Sequence, residues 1–268
     1  GDVELAWRLM PNPFAGITGT DGKSTTTSMV GSILEAGGRG TVAGNIGIPV
    51  LDLVETVPDE KILCLELSSF QLESCPTFRP RAAMLLNIRP DHLDRYADMD
   101  EYLDAKLNIF RNLDQACRAV LPADDPENPR MRAAVPQDVP LVRFGERGEG
   151  LDARLQEGRI LLGDRELLRT EELRVRGFHN ARNALAAAAI AHALGIPAAE
   201  IRAGLLAYAG LAHRFEDAGS AGGVSFINDS KATTISAVAA AAGSARPGAA
   251  LLLGGKNKGL DFSGLRPL

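Results

Sequence analysis

Ile17-Thr18-Gly19-Thr20-Asp21-Gly22-Lys23-Ser24-Thr25 is the stretch on which the fold turns. It stands between a short apolar run, residues 13–18, and residues 24–36, which read as a helix closed by Gly37-Gly38. A buried strand that turns through glycines into a helix points backbone N–H groups at an anion, and the helix N-terminus adds positive potential. The segment Gly19, Thr20, Asp21, Gly22, Lys23, Ser24 and Thr25 is therefore read as a phosphate loop. In that reading Lys23 reaches the outer phosphates and the Ser24 hydroxyl ligates Mg2+. The strict pattern G-x-x-x-x-G-K-[ST] is not met, because its first glycine would fall at Ile17. A glycine-rich turn with a surface lysine is the competing reading. The strand before, the helix after and the Gly-Lys-Ser-Thr core favour phosphate binding.

Outward from this loop, strands and helices alternate. Residues 62–67, 82–87 and 119–121 read as further strands, and residues 101–113, 180–194 and 198–208 as helices. Residues 122–170 carry a weaker, alternating pattern that suggests a peripheral antiparallel piece. Near Gly210 the alternation restarts, with strands expected at 224–228 and 249–253 and a helix at 234–242. The fold class is α/β: a P-loop-type, mostly parallel sheet flanked by helices, then one βαβ unit opening a Rossmann-like domain. Two domains are expected, 1–210 and 211–268, the second incomplete because one βαβ unit cannot bury its own sheet.

The chain has 268 residues, 45% of them apolar, with a net charge of -5, ordinary for a globular protein with a sizeable core. No Lys/Arg block marks a nucleic-acid surface. Cys64, Cys75 and Cys117 are odd in number and form no C-x-x-C pair, so buried thiols and a reducing cytoplasm are expected. The acidic start Gly1-Asp2-Val3-Glu4 does not read as a signal peptide, and the apolar run 184–196 is too short to span a bilayer.

Several polar clusters follow the strands. Glu66-Leu67-Ser68-Ser69-Phe70-Gln71-Leu72-Glu73 sets a carboxylate at a strand's C-terminal end, the ligand side of an open α/β sheet. Glu66 suits Mg2+, while Ser68 or Ser69 suits a helix N-cap. Asn87-Ile88-Arg89-Pro90-Asp91-His92-Leu93-Asp94 packs acid, imidazole and base into one loop. Asn45 sits in a Gly/Asn turn, Asn180 reads as an N-cap of the Ala-rich helix, and His192 reads as packing. Arg214 suits a bidentate phosphate clamp, against a surface ion pair with Glu216. Asp229-Ser230-Lys231-Ala232-Thr233 follows a strand and opens a helix, again an anion site. Composition alone makes Lys106 an exposed helix lysine, and Lys258 a solvated loop lysine.

The sequence Ile17-Thr18-Gly19-Thr20-Asp21-Gly22-Lys23-Ser24-Thr25 resembles the ATP loop of the Mur ligases and folylpolyglutamate synthases, ADP-forming amide ligases with a three-domain plan. Five further motifs occur in the family's order: Gly44-Asn45-Ile46-Gly47, Asn87 to Asp94, Gly177-Phe178-His179-Asn180-Ala181-Arg182-Asn183, His213-Arg214-Phe215-Glu216 and Asn228-Asp229-Ser230-Lys231-Ala232-Thr233. Gly254-Gly255-Lys256-Asn257-Lys258-Gly259-Leu260-Asp261-Phe262 also looks like a family loop, with Lys256 where many relatives carry Asp. The resemblance implies ATP and Mg2+ as cofactors, with Ser24, Glu66, His92 and a carbamylated Lys106 around the metal and Asp91 and Asp94 nearby. It implies nucleotide or phosphate contacts for Asn45, Asn180, Asn183, Arg214 and Asp229, and a catalytic role for Lys23 and Lys231. It puts Ser68, Gln71, His213, Ser230, Thr233 and Lys258 toward the other substrates.

The octapeptide 66–73 resembles the branch that adds D-glutamate in particular, which implies UDP-N-acetylmuramoyl-L-alanine and D-glutamate as substrates, joined through an acyl phosphate. It also implies a UDP-binding N-terminal domain outside this chain, a monomer, and no membrane insertion. A sibling ligase and a nucleotide-binding module without a ligase step are the alternatives.

Overall fold

The computed structural model describes residues 1–92, 95–233, 235–243, 245, 248–255 and 262–265. Strand β1 (Phe14–Thr18) is central, with β3 (Ile62–Glu66) and then β2 (Gly40–Gly44) on one side. On the other side follow β4 (Ala82–Leu85), β5 (Arg118–Pro122) and β6 (Leu141–Gly145). Strands β7 (Ala153–Gln156), β8 (Arg159–Leu162) and β9 (Arg165–Arg169) complete a nine-stranded sheet. Pairing is parallel from β2 through β7 and antiparallel from β7 to β9, which is the peripheral antiparallel piece expected from residues 122–170.

All five residues of β1 are buried, as a parallel strand covered on both faces requires. Ala15 and Ile17 join Met29, Val30 and Ile33 in one core, while Phe14 joins Leu63, Leu65 and Phe78 in the other. The first core is roofed by α2 (Lys23–Ala36), α6 (Phe178–Ala193) and α7 (Ala198–Ala207). The second is roofed by α1 (Asp2–Leu9), α3 (Ser69–Glu73), α4 (Met99–Leu107) and α5 (Asn128–Ala134). Thus β1 and β4 are neighbours whose following helices, α2 and α4, lie on opposite faces. That arrangement is a topological switch point, where a crevice forms outside the strands' carboxyl ends.

Helix α2 is held from behind. A Cβ on Gly204 of α7 would stand 2.3 Å from the Ile33 Cα, so the two backbones touch, and Ser32 Oγ donates to the Gly204 carbonyl at 2.8 Å. Among the described residues no helix is long and apolar enough to cross a membrane. All three cysteines are free and buried.

Helix α4 ends earlier than expected, at Leu107, and continues as a 3-10 turn over Asn108–Phe110. The expected βαβ unit is not formed among the described residues. Instead β10 (Glu216–Ala221) pairs antiparallel with β11 (Val224–Asn228), and α8 (Ile235–Gly243) follows. Residues 249–253 carry no strand: β11 is paired to β10, and Leu251, Leu252 and Leu253 are exposed.

Near the start of the chain, buried Glu4 accepts hydrogen bonds from the Thr77 N–H and hydroxyl, the Phe78 N–H at 3.1 Å and Arg8 Nε at 2.8 Å. Burial alone would raise its pKa, but the bonds from Thr77 and Arg8 outweigh burial and hold it below 4.5. A carboxylate shifted downward stabilises the fold fully above its unfolded value of 4.5 and loses that contribution as pH falls through the folded value. Glu4→Ala is therefore expected to cost about 2–3 kcal/mol at neutral pH, by loss of charge-assisted bonds. Urea unfolding should show this gap shrinking once pH falls below 4.5.

Candidate functional site

The crevice at the switch point is a cleft of about 520 Å³. Its floor is the loop after β1. Gly22 is the N-cap of α2 with φ 81°, a left-handed conformation, and a Cβ there would lie 2.4 Å from Asn183 Oδ1. Glycine is required both by conformation and by this close approach.

Two loop N–H groups do not face the cleft. Asn87, just past β4, accepts from the Thr20 N–H through its backbone carbonyl at 3.1 Å and its Oδ1 at 3.2 Å. The same Oδ1 accepts from the Asp21 N–H at 2.9 Å, and Nδ2 donates to the Asp21 carbonyl at 2.9 Å. The Arg89 N–H donates to Thr20 Oγ1 at 3.0 Å. Fewer loop N–H groups are thus open to an anion than the motif suggests. Those left are at Gly22 to Thr25, which begin α2 and have no carbonyl one turn earlier within the helix.

Lys23 Nζ folds back to donate to the carbonyls of Gly19 at 2.9 Å and Thr20 at 2.8 Å. Burial lowers its pKa, against the carboxylates of Glu66, Asp21 and Asp91, which raise it. Arg214 crosses from the second segment so that Nη2 donates to Ser24 Oγ at 3.0 Å. Its surface ion pair with Glu216 is not made among the described residues: Glu216 accepts from the His213 N–H at 2.8 Å and the Asn228 side chain at 3.3 Å.

Glu66 ends β3 and is 1% exposed. Its Oε1 accepts from Asn45 Nδ2 at 2.9 Å, whereas Oε2 is buried and has no partner among the described residues. A buried carboxylate oxygen without a partner is costly unless a cation or donor meets it. Lys106 is not the exposed lysine that composition suggests. It is 2% exposed, with Nζ 3.5 Å from Thr18 Oγ1 and 4.8 Å above the Tyr102 ring. Helical geometry turns it inward beside Leu103, into the space behind β1. Burial, reinforced by the charge of Lys23, drives its pKa well below the ordinary lysine value, with Asp91 and Glu66 opposing.

Of the remaining expected residues, Asn45, Asn180, Asn183, Asp229, Lys231 and Thr233 line the same cleft. Asn180 is not a cap: Gly177 occupies that position, and the Asn180 amide donates to the Arg176 carbonyl at 2.7 Å. Asn183 packs on Gly22 and lies 3.5 Å from Thr26 Oγ1. Asp229 lies in the segment between β11 and α8, as expected, and accepts from the Phe215 N–H at 3.0 Å.

Others lie outside the cleft. Ser68 and Gln71 form a capping box at the start of α3. His92 packs edge-on to Phe70 at 5.1 Å, with Nε2 3.4 Å from Asp91 Oδ2. Among the described residues no three acidic, histidine or cysteine side chains gather as a metal cage. His213 and Ser230 are exposed. Asp94, Lys256 and Lys258 lie outside the described residues.

Asn87, Arg89 and His179 are among the cleft residues to which the sequence assigned no role. Asn87 and Arg89 were inside a quoted motif. His179, in the glycine-led motif before α6, packs edge-on to Phe215 at 5.4 Å, and its Nδ1 is buried with no partner among the described residues. Burial lowers the His179 pKa, with Asp229 opposing.

Residues 17–191 match the Mur ligase middle domain. The UDP-N-acetylmuramoylalanine–D-glutamate ligase of Pelotomaculum thermopropionicum is 40% identical over 98% of this chain. The ligase of the same name from Geotalea uraniireducens is 42% identical over the whole of it. The chain spans about three fifths of the length of these relatives, 58% and 60%. Among solved structures, MurF from Acinetobacter baumannii superposes with a TM-score of 0.73 at 24% identity, over 90% of this chain and 56% of that one. MurF from Thermotoga maritima, solved in complex with ADP, gives 0.65 at 18% identity, over 90% of this chain and 58% of that one. These two share the fold. The chain belongs to the Mur ligase family, in its middle domain.

Gly22→Ala must leave φ 81° or push Asn183 aside. Its expected cost is about 1–3 kcal/mol in urea unfolding.

Proposed function

We propose that this chain is the ATP-binding part of a ligase that joins D-glutamate to UDP-N-acetylmuramoyl-L-alanine. The carrying observation is that Lys23, Ser24, Glu66, Arg214 and Lys231 meet in one cleft. Relatives bearing that ligase's name, 39–42% identical across nearly all of the chain, choose the member. Residues 1–210 form the ATP-binding unit and residues 211–268 begin a second one that closes on it. Three buried free thiols suit a cytoplasmic setting.

The reaction has two displacements. The L-alanyl carboxylate attacks the γ-phosphorus of ATP and ADP leaves. The neutral amine of D-glutamate then attacks the acyl carbon, the bond from that carbon to the phosphate oxygen breaks, and phosphate departs. Such transfers depend on positioning and charge neutralisation. The N–H groups at the start of α2 and the Lys23 ammonium hold the outer phosphates. To do so, Lys23 exchanges the carbonyls of Gly19 and Thr20 for phosphate oxygens. Arg214 and Lys231 bring positive charge from the second segment, and closure excludes water. Asn180, Asn183 and Asp229 line the nucleoside side, while Ser230, Thr233, His213, Ser68, Gln71 and Lys258 serve the other substrates.

The residues present fit Mg2+, because Glu66 offers an unpartnered buried oxygen and Ser24 a hydroxyl. Those two would hold the ion, with His92 and Lys106 supporting it and water and phosphate completing its shell. Bound there, the ion would neutralise phosphate charge. Burial drives the Lys106 pKa down, which favours the neutral amine that carbon dioxide can carbamylate, with loss of a proton. The carbamate would turn a buried amine into an anion.

Phosphate release from ATP tests the reading, measured with this chain and with a longer protein containing it. The expected result is release by the longer protein with UDP-N-acetylmuramoyl-L-alanine and D-glutamate only. Release with another amino acid would keep the family and overturn the member. Lys23→Ala should lower release by about 10²–10³-fold. Lys106→Ala should be inactive and partly restored by added acetate, and full activity without acetate would remove the carbamate.

A further inference from the structure

The loop after β1 and the loop after β4 leave the carboxyl ends of paired strands, but they lead to helices on opposite faces of the sheet, so beyond the strand ends the two loops are free to diverge. What joins them is a short seam of hydrogen bonds. Asn87 receives the Thr20 and Asp21 N–H groups and returns one bond to the Asp21 carbonyl. Thr20 Oγ1 lies 3.2 Å from the Arg89 carbonyl and from the Tyr102 hydroxyl, and accepts from the Arg89 N–H at 3.0 Å. Arg89 in turn is tied at 2.9 Å to Asp125, whose side chain is 3% exposed.

Asn87 is the one side chain in this seam that holds both the N–H and the C=O of a single loop residue. Asp21 immediately precedes Gly22, whose left-handed backbone starts α2. A residue clamped on both its backbone polar groups resists rotation. Its neighbour therefore keeps the turn that aims the α2 N-terminus into the cleft. The clamp also withdraws two N–H groups that would otherwise compete for the anion.

We propose that Asn87 is a positioning residue for the outer phosphates of ATP, acting through Thr20 and Asp21 of the loop rather than by touching the nucleotide. The inference rests on the reading of the cleft as an ATP site. It applies to the β- and γ-phosphates only, since the two N–H groups that Asn87 orders lie in the loop that leads into the α2 N-terminus.

The test is equilibrium binding of ATP, ADP and AMP to this chain by calorimetry, for the wild type, Asn87→Ala and Asn87→Asp. Asn87→Ala removes the clamp and is expected to weaken ATP and ADP by about tenfold or more, with AMP within about twofold of wild type. Asn87→Asp keeps an acceptor for both N–H groups and loses the donor. It should unfold near the wild-type urea midpoint and still bind ADP more weakly, because it sets a negative charge beside the phosphates. A residue that only supported the fold would weaken all three nucleotides alike, or lower the urea midpoint with no selectivity, and either result overturns the proposal. Unchanged ADP affinity in both variants overturns it as well, while leaving the ATP site standing. Failure of the wild type to bind ATP would remove both.

Discussion

Everything in this molecule is arranged around a strand with no free side. β1 is hydrogen-bonded to β3 and β4 and buried on both faces, so its five residues have no conformational latitude. The chain must leave it at Thr18, at the carboxyl end, in the space between two loops. That constraint sets the place of the cleft before any side chain is considered. The glycines then allow the turn, and α2 supplies the dipole that favours negative charge.

The same confinement governs the electrostatics. Lys23 and Lys106 approach the loop from opposite sides, the first from α2 and the second from α4 behind β1. Both lose water, and the charge of Lys23 disfavours that of Lys106. Glu66 and Asp91 offset part of that cost. The site is therefore a balance of buried groups in which one lysine can carry charge more readily than two. The unpartnered oxygen of Glu66 is a further unmet demand of the same region. A charged ligand that brings its own cation and many hydrogen-bonding atoms meets these demands together, which an apolar ligand would not.

Much of this was legible in the sequence where the signal is local. The apolar runs of β1, β3, β4 and β5 are short and bounded by turn residues, and the Gly-Lys-Ser-Thr core fixes its own context. The antiparallel edge beyond β6 was visible as alternation. Edge strand β2 was not, because Gly40 and Gly44 break its pattern and only Ala43 is buried. Nor was β6, although Phe144 reaches the cleft. In the second segment β11 and α8 were legible, but the strand expected at 249–253 is absent, and that β11 folds back on β10 depends on pairing that β-propensity does not record. Site residues followed the same division. Glu66 announces itself by its strand-end position and Lys23 by the glycine-rich turn into a helix. The burial of Lys106, the clamp of Asn87 and the contact of Arg214 with Ser24 arise from contacts 66 to 190 residues apart, which no local pattern records.

The backbone contact between Ile33 and Gly204 has a consequence for how the protein is made. The loop after β1 is made well before its brace, because Ser32 of the helix behind it bonds a partner 172 residues later in the chain. At ordinary synthesis rates of roughly 5–20 residues per second, that partner arrives about ten seconds or more after the loop. Through that interval the apolar face of α2 has β1 but not α6 or α7. The nascent loop is thus formed in sequence long before it is formed in space. Chaperone protection and the pace of translation over residues 37–204 bear directly on whether the cleft matures.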